Sequence, residues 1–296
     1  MRRYCLNIAN YLIGFESVSN GFELMPGERF RSFLSGENDH DIFISVHSGK
    51  YEVPENAVRV FNAPYVEEIN GIRVKKSDKF WSVHKHNNDL FIASVFPLSP
   101  EKKNAVLKFS LSDRNWDLWI GGAGNATDPL EYPLDGLVLY YLTAIHGDIM
   151  IHASGVNYSG SGYLFSGVSG RGKTTMSKLW QEAGAKVIHD DRLILRNTEK
   201  GSRMFNTPVY ANDEPRESPV NKIFLIEHGS RNEIIPVSGA SAISMVMANC
   251  IQHNWDQEII AGLVGSVSSL CREVEVIRLP FRPDRSIIDE ILNNGQ

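Results

Sequence analysis

Cysteine is scarce in this chain. Cys5, Cys250 and Cys271 are the only three in 296 residues, and no two stand at a metal-ligand spacing. A zinc ribbon and a disulfide framework are excluded, and reduced thiols in a cytoplasmic protein are expected. Long apolar runs are missing too: nothing approaches the ~18–20 uninterrupted residues of a membrane span. Arg2 and Arg3 lead into the apolar run Tyr4–Phe15. Asn7 and Asn10 break it and no small-residue cleavage pattern follows, so it reads as a first β-strand rather than a signal peptide. Charge of one sign is also lacking. Lys+Arg number 30 against 35 Asp+Glu, a net of −5, which speaks against a surface that coats nucleic acid. Neither a nucleic-acid partner nor a membrane is expected. No repeat or low-complexity tract is visible. What remains is an ordinary globular composition, 42% hydrophobic and 22% charged. The length suits about two domains at ~150 residues each.

The first part of the chain is strand-like. Runs at 42–46, 105–111 and 116–120 carry alternating or β-branched apolar residues. Phe80–His84 and Leu90–Val95 flank the turn-rich His86-Asn87-Asn88-Asp89 and read as a hairpin. No catalytic motif appears there. Gly121-Gly122-Ala123-Gly124-Asn125 is a flexible joint, which sets the expected division: a β-rich domain over residues 1–122 and a second domain over 123–296. Past the joint, Leu137, Tyr140, Tyr141 and Ala144 recur at helical spacing behind Pro133. Strands are expected at 149–153 and 162–166.

The second of these leads into Gly167-Val168-Ser169-Gly170-Arg171-Gly172-Lys173-Thr174-Thr175, which contains G-x-x-x-x-G-K-[ST] in full. Glycines let successive backbone N–H groups turn inward onto phosphate oxygens. The helix that follows offers the positive end of its dipole. Lys173 brings a point charge to the β- and γ-phosphates, and the Thr174 hydroxyl suits Mg²⁺. Context supports the motif. Met176, Leu179, Trp180 and Ala183 make one apolar stripe after it, and Gly184 stands where the helix would end.

An acidic pair follows one strand later. Val187-Ile188 leads to His189-Asp190-Asp191, and ligands of α/β sheets sit at the carboxyl ends of strands. Neighbouring side chains of extended chain point opposite ways, so one aspartate could act as general base and the other could hold the metal. His152, fifteen residues before Gly167, is a further candidate near the transferred phosphate.

Taken together, His152, the loop and the Asp190-Asp191 pair resemble the catalytic domain of the HPr serine kinase/phosphorylase family. The resemblance covers about residues 145 to 295. It implies the α/β fold shared with phosphoenolpyruvate carboxykinases, preceded here by a β-rich region. It implies ATP and Mg²⁺, with Asp190 as catalytic acid/base, Lys173 on the phosphates, Thr174 and Asp191 on the metal side, and His152 in the active site. The family's Arg- and Gly-rich segment after the acidic pair is not evident. Phe205-Asn206-Thr207-Pro208 through Asp213-Glu214, then Pro219–Ile226, is instead similar to a divergent branch that includes lasso-peptide precursor kinases. Asn206 replaces a glycine of that segment, and Glu214 takes the place of a metal or substrate ligand. The implied activity is transfer of the γ-phosphoryl group to a Ser or Thr hydroxyl of a peptide or protein, with a homo-oligomer compatible. The β-rich region could dock an extended peptide by strand addition. A nucleotide-gated binding module and a small-molecule kinase are the alternatives.

The last third reads as scaffold. Ser238 can cap a helix over Ile243, Val246 and Met247. A second helix is expected from about Asp256 to Leu270, a strand at 274–279, and a last helix faced by Ile287, Ile288, Ile291 and Leu292. Arg278, Arg282 and Arg285 read as a solvated face, with a phosphate or peptide patch as the alternative.

Overall fold

The structure, a computed structural model, describes residues 1–63, 68–69, 72–73, 80–97, 103–122, 124, 126–168 and 170–293. It is a mixed α/β architecture with a β-rich N-terminal region, in two compact units. Unit 1 comprises Met1–Ile145 with Tyr210–Asp213 and His253–Trp255; unit 2 comprises His146–Val209, Glu214–Gln252 and Asp256–Gln296. The division falls at Ile145–His146, not in the glycine-rich stretch. The helix after that stretch belongs to unit 1, where Tyr141 packs its ring 4.7 Å from that of Phe109. Ala123 and Asn125 lie outside the described residues.

Unit 1 begins with β1 (Arg3–Ile8), β2 (Tyr11–Ser17), β3 (Glu23–Leu24), β4 (Leu34–Ser35), β5 (Ile42–Ser48) and β6 (Val58–Asn62). After β7 (Glu68–Ile69) and β8 (Ile72–Arg73) come β9 (Trp81–His86), β10 (Asp89–Val95), β11 (Asn104–Phe109), β12 (Asn115–Gly121), β13 (Ala126–Thr127) and α1 (Leu134–His146). Among the described residues, nine strands form one sheet in the order β4-β1-β2-β5-β12-β11-β10-β9-β6. The segment expected to be one strand over Tyr4–Phe15 is a hairpin. The chain reverses at Ala9 and Asn10, both at positive φ (54° and 63°), and β1 pairs antiparallel with β2. The hairpin expected at 80–95 is present as β9 and β10, with Asn87 at φ 55° in its turn. Alternation buries Leu6, Ile8, Ile13 and Phe15 on one side, and Leu107, Trp116 and Leu118 are equally enclosed.

Unit 2 holds β14 (Ile149–Tyr158), β15 (Ser161–Ser166), α2 (Lys173–Glu182), β16 (Lys186–His189), β17 (Arg192–Thr198), β18 (Gly201–Asn206), β19 (Glu217–Pro219) and β20 (Lys222–His228). It continues with β21 (Ile235–Val237), α3 (Gly239–Met247), α4 (Gln257–Glu273), β22 (Glu275–Phe281) and α5 (Ser286–Asn293). The sheet order is β19-β18-β17-β14-β15-β20-β22-β21, with β16 also on β14. Adjacent residues of each central strand feed opposite faces, as period-2 geometry requires. Leu164, Ile223, Leu225 and Val276 join Ala242, Val246, Val267 and Leu270 of α3 and α4. Phe165, Phe224, Ile226 and Ile277 join Met176 and Trp180 of α2 and Ile287, Ile288 and Ile291 of α5. Unit 2 is thus a sheet covered by helices on both faces, and β15, β20 and β22 run parallel through its centre. Ser238 occupies the N-cap position of α3 without a side-chain bond to it, whereas Asp256 caps α4 by accepting from the N–H groups of Glu258 and Ile259. Among the described residues, no helix is long and apolar enough to cross a membrane.

Candidate active site

The glycine-rich loop joins the carboxyl end of β15 to the first turn of α2. Gly170 and Gly172 stand at φ 79° and 96°, the left-handed region that admits glycine at little cost. Gly172 is also pressed against Phe281, whose Cζ would lie 3.0 Å from an added Cβ. Gly172 is the N-cap of α2 and no side chain caps it, which leaves the helix's first N–H groups to an anion. Ser169 lies outside the described residues.

Lys173 is only 7% exposed, and its Nζ donates to the carbonyls of Gly167 at 2.7 Å and Val168 at 3.5 Å. Burial pushes its pKa below the usual lysine value, against the field of Asp191. Its own carbonyl accepts from the hydroxyl of Ser154 at 3.1 Å. Thr174, Thr175 and Arg171 are exposed at the mouth of the loop. His228, at the end of β20, donates from Nε2 to the Gly170 carbonyl at 3.0 Å.

The acidic pair lies in the bend between β16 and β17. His152 of β14 stands opposite Arg192 in the β14–β17 ladder. That register brings the His152 Nδ1 to 3.4 Å from the Asp191 Oδ1, and the Arg192 Nε to 3.7 Å from Oδ2. The Asp191 N–H donates to Nδ1 of buried His189 at 3.1 Å. Burial by itself would raise the Asp191 pKa. The His152 hydrogen bond and the charges of Arg192, His152 and His189 outweigh it and hold the carboxyl below its ordinary value. The Asp191 carboxylate thus stands beside the His152 ring and the Arg192 guanidinium. Asp190 is half-buried beside it.

Glu214 stands apart from this group in character. It is exposed, its carboxylate makes no ion pair among the described residues, and its carbonyl accepts from the Asn206 side chain at 2.9 Å. Asn206, buried, also accepts from the Arg216 N–H at 2.7 Å, so it staples the turn rather than leaving it a glycine's freedom. Arg278 and Arg282 face Glu227 and Asp284 at 3.7 and 3.3 Å. Ser154 and His228 were not evident from sequence, since only strand pairing brings them to the loop; Arg192 follows Asp191 directly, and the β14–β17 ladder sets it opposite His152.

No protein-family model matches the chain, and no curated protein matches its sequence. Among solved structures, the Hpr(Ser) kinase/phosphatase from Coxiella burnetii is similar at 10% identity and a TM-score of 0.31, over 49% of this chain and 95% of that one. At that identity and score the likeness carries no argument, and function rests on the chain's own residues.

Proposed function

We propose that this chain is an ATP- and Mg²⁺-dependent phosphotransferase acting on a Ser or Thr hydroxyl of a peptide or protein, in the manner of HPr serine kinases. The observation that carries the reading is the loop geometry. Lys173 sits buried at an uncapped helix terminus behind two left-handed glycines, and His152 stands 3.4 Å from the Asp191 carboxylate in the same unit. Phosphoryl transfer asks the protein mainly for positioning and charge stabilisation. The loop N–H groups and Lys173 hold the phosphates. Asp191 takes the proton of the acceptor hydroxyl, and His152 fixes its orientation, the base–orienter arrangement general bases use.

Among the described residues, no three His, Cys, Asp or Glu side chains converge as a metal cage. Mg²⁺ is ordinarily held by one or two carboxylates together with substrate phosphates and water, so the Thr174 hydroxyl and Asp190 fit it. When bound, the ion neutralises charge on the phosphates. The roles of the two aspartates are thereby exchanged relative to the family-based expectation, with Asp191 as base and Asp190 on the metal side.

The deciding experiment measures ATP binding by calorimetry and transfer by intact mass on candidate peptides. Asp191→Asn should retain ATP affinity and lose transfer by ~10²- to 10⁴-fold, the scale of a general base. Transfer that survives Asp191→Asn refutes the mechanism. ATP binding with no transfer to any hydroxyl marks a nucleotide-gated binding module instead.

A further inference from the structure

We infer that His228 is a positioning residue of the phosphate loop: its ring holds the Gly170–Arg171 peptide with the carbonyl turned out of the anion site, and so sets the affinity for phosphates. The inference deepens the phosphotransferase reading and rests on it for the ligand. All of its parts lie within unit 2. The chemistry of the loop creates the need. An anion site shows N–H groups and keeps its carbonyls turned away, because an oxygen aimed at a phosphate repels it. Glycine reaches that orientation at little cost and leaves it at little cost. A loop that spends part of its time turned the wrong way binds more weakly by the fraction lost.

The three glycines of the motif are held in different ways. At Gly167 an added Cβ would lie 2.8 Å from the Ile226 carbonyl oxygen, and at Gly172 3.0 Å from the Phe281 ring, so packing wedges both. Gly170 has no such wall. It is exposed at φ 79°, and among the described residues nothing lies within 4 Å of a Cβ added there. Hydrogen bonds at the two ends of one peptide unit take the place of packing. The His228 Nε2 donates to the Gly170 carbonyl at 3.0 Å, and the Arg171 N–H donates to the Val168 carbonyl at 3.2 Å. The second bond stays inside the loop and would move with it. The first ties the loop to the sheet.

Strand register places the donor. His228 and Phe281 are partners at the last rung of the parallel β20–β22 ladder. Alternation sets His228 on the face of Phe224 and Ile226, the face that packs against α2, and Phe281 shares that face. One strand-end pair thus serves both left-handed glycines: His228 bonds Gly170, and Phe281 presses on Gly172. Just past His228 the backbone is fastened, the Gly229 N–H donating to the Phe281 carbonyl at 3.0 Å. A donor on a strand end is held more precisely than one on a loop. A carbonyl only accepts, so the role asks for an N–H at that point and nothing else of the imidazole. A glutamine amide supplies one; a leucine of similar bulk does not. His228 is exposed, so either replacement leaves the core untouched.

The test follows that one peptide bond. Gly170-Arg171 is the only Gly-Arg pair in the sequence, so the full chain labelled with carbonyl-¹³C glycine and ¹⁵N arginine gives a single carbonyl–amide cross-peak. His228→Leu should move the Gly170 carbonyl resonance upfield, as loss of an accepted hydrogen bond does. It should weaken ATP·Mg²⁺ and inorganic tripolyphosphate alike, by about 3- to 10-fold, the scale of one hydrogen bond. His228→Gln should bring back the resonance and both affinities. An unmoved cross-peak or unchanged affinities in His228→Leu overturn the inference. So does a glutamine variant as weak as the leucine one, which would take the role from the donor. A loss confined to ATP also overturns it, since His228 would then act on the nucleoside. If the wild-type chain binds neither probe, the phosphotransferase reading falls, while the cross-peak in His228→Leu still upholds or overturns the hold on the peptide.

Discussion

The Nδ1 of His152 lies 3.4 Å from the Oδ1 of Asp191. The pair is made by register: His152 stands opposite Arg192 in the β14–β17 ladder, so the residue before Arg192 meets the imidazole. A one-residue slip would offer Asp190 instead and turn each β17 side chain to the other face.

The first prediction concerns pH. Asp191 has a native pKa held below its unfolded value. Its contribution to stability is therefore fully present above the unfolded carboxylate value of about 3.9 and is lost as pH falls through the depressed native value. His152→Ala removes the foremost of the interactions that lower it. The acid limb of the kcat profile should move to higher pH, while ATP affinity at neutral pH stays unchanged. A profile that superimposes on the wild-type one removes His152 from its orienting role.

Separate substitution of the acidic pair tells base from metal ligand. Asp191→Asn should lower kcat by ~10²- to 10⁴-fold at any Mg²⁺ concentration. Asp190→Asn should raise the Mg²⁺ concentration needed for half-maximal rate, with much of kcat recovered at saturation. Steady-state rates over a Mg²⁺ series distinguish the two. The opposite pattern would restore the family-based assignment.

Local chemistry explains what was legible from sequence. The strand, glycine loop and helix at 161–182 lie within one short stretch, and each is announced by its own residues. Met176 and Trp180 are fully enclosed as their spacing implies, and Gly184 sits at φ 94° past the end of α2. Long-range pairing was not legible. Strand-forming residues stand on both sides of Ala9 and Asn10, so nothing but the turn-tolerant Asn10 marks the hairpin there. The parallel neighbours β2, β5 and β12 are far apart in sequence. The β17–β18 hairpin went unread although Gly201, at φ 87°, closes its turn. Which aspartate lies beside His152 belongs to the same class, because the β14–β17 register sets it.

Two glycines on one turn should respond very differently to alanine. An added Cβ at Gly162 would stand 1.7 Å from the carbonyl oxygen of Pro219, a backbone atom that cannot rotate away. At Gly160, φ is 89° but nothing lies within 4 Å of the added carbon. Gly160→Ala should cost about 1 kcal/mol through backbone strain alone. Gly162→Ala should cost about 3 kcal/mol or more, since β19 must move off β15. Urea unfolding of the two variants checks the order. Equal losses would mean that strain, not the Pro219 contact, dominates.

The last prediction sets two desolvated groups of unit 1, half-buried Asp128 and buried His253, against each other. Burial pushes the Asp128 pKa up to about 6 despite the Leu130 N–H and Arg29, with Asp135 and Glu131 adding to the rise. Burial pushes His253 down to about 4, its ring enclosed by Tyr140, Trp81 and Phe61 at 4.0, 4.9 and 5.2 Å between centroids. The signs oppose. Folded Asp128 binds its proton more readily than the unfolded chain does, so its penalty disappears as pH falls through about 6 towards the unfolded value. Folded His253 refuses a proton that the unfolded chain accepts, so stability is lost as pH falls from the unfolded value of about 6.5 towards about 4. Each effect amounts to about 2 kcal/mol between about pH 7 and about pH 4.5, and in the intact protein they largely cancel. Asp128→Asn, which keeps an acceptor for the Leu130 N–H, should make unit 1 lose stability on acidification. His253→Gln should make it gain. Hydrogen-exchange protection of the β2 and β12 amides reads unit 1 by itself. Parallel pH dependence in the two variants would show that the two groups are not the ones in balance.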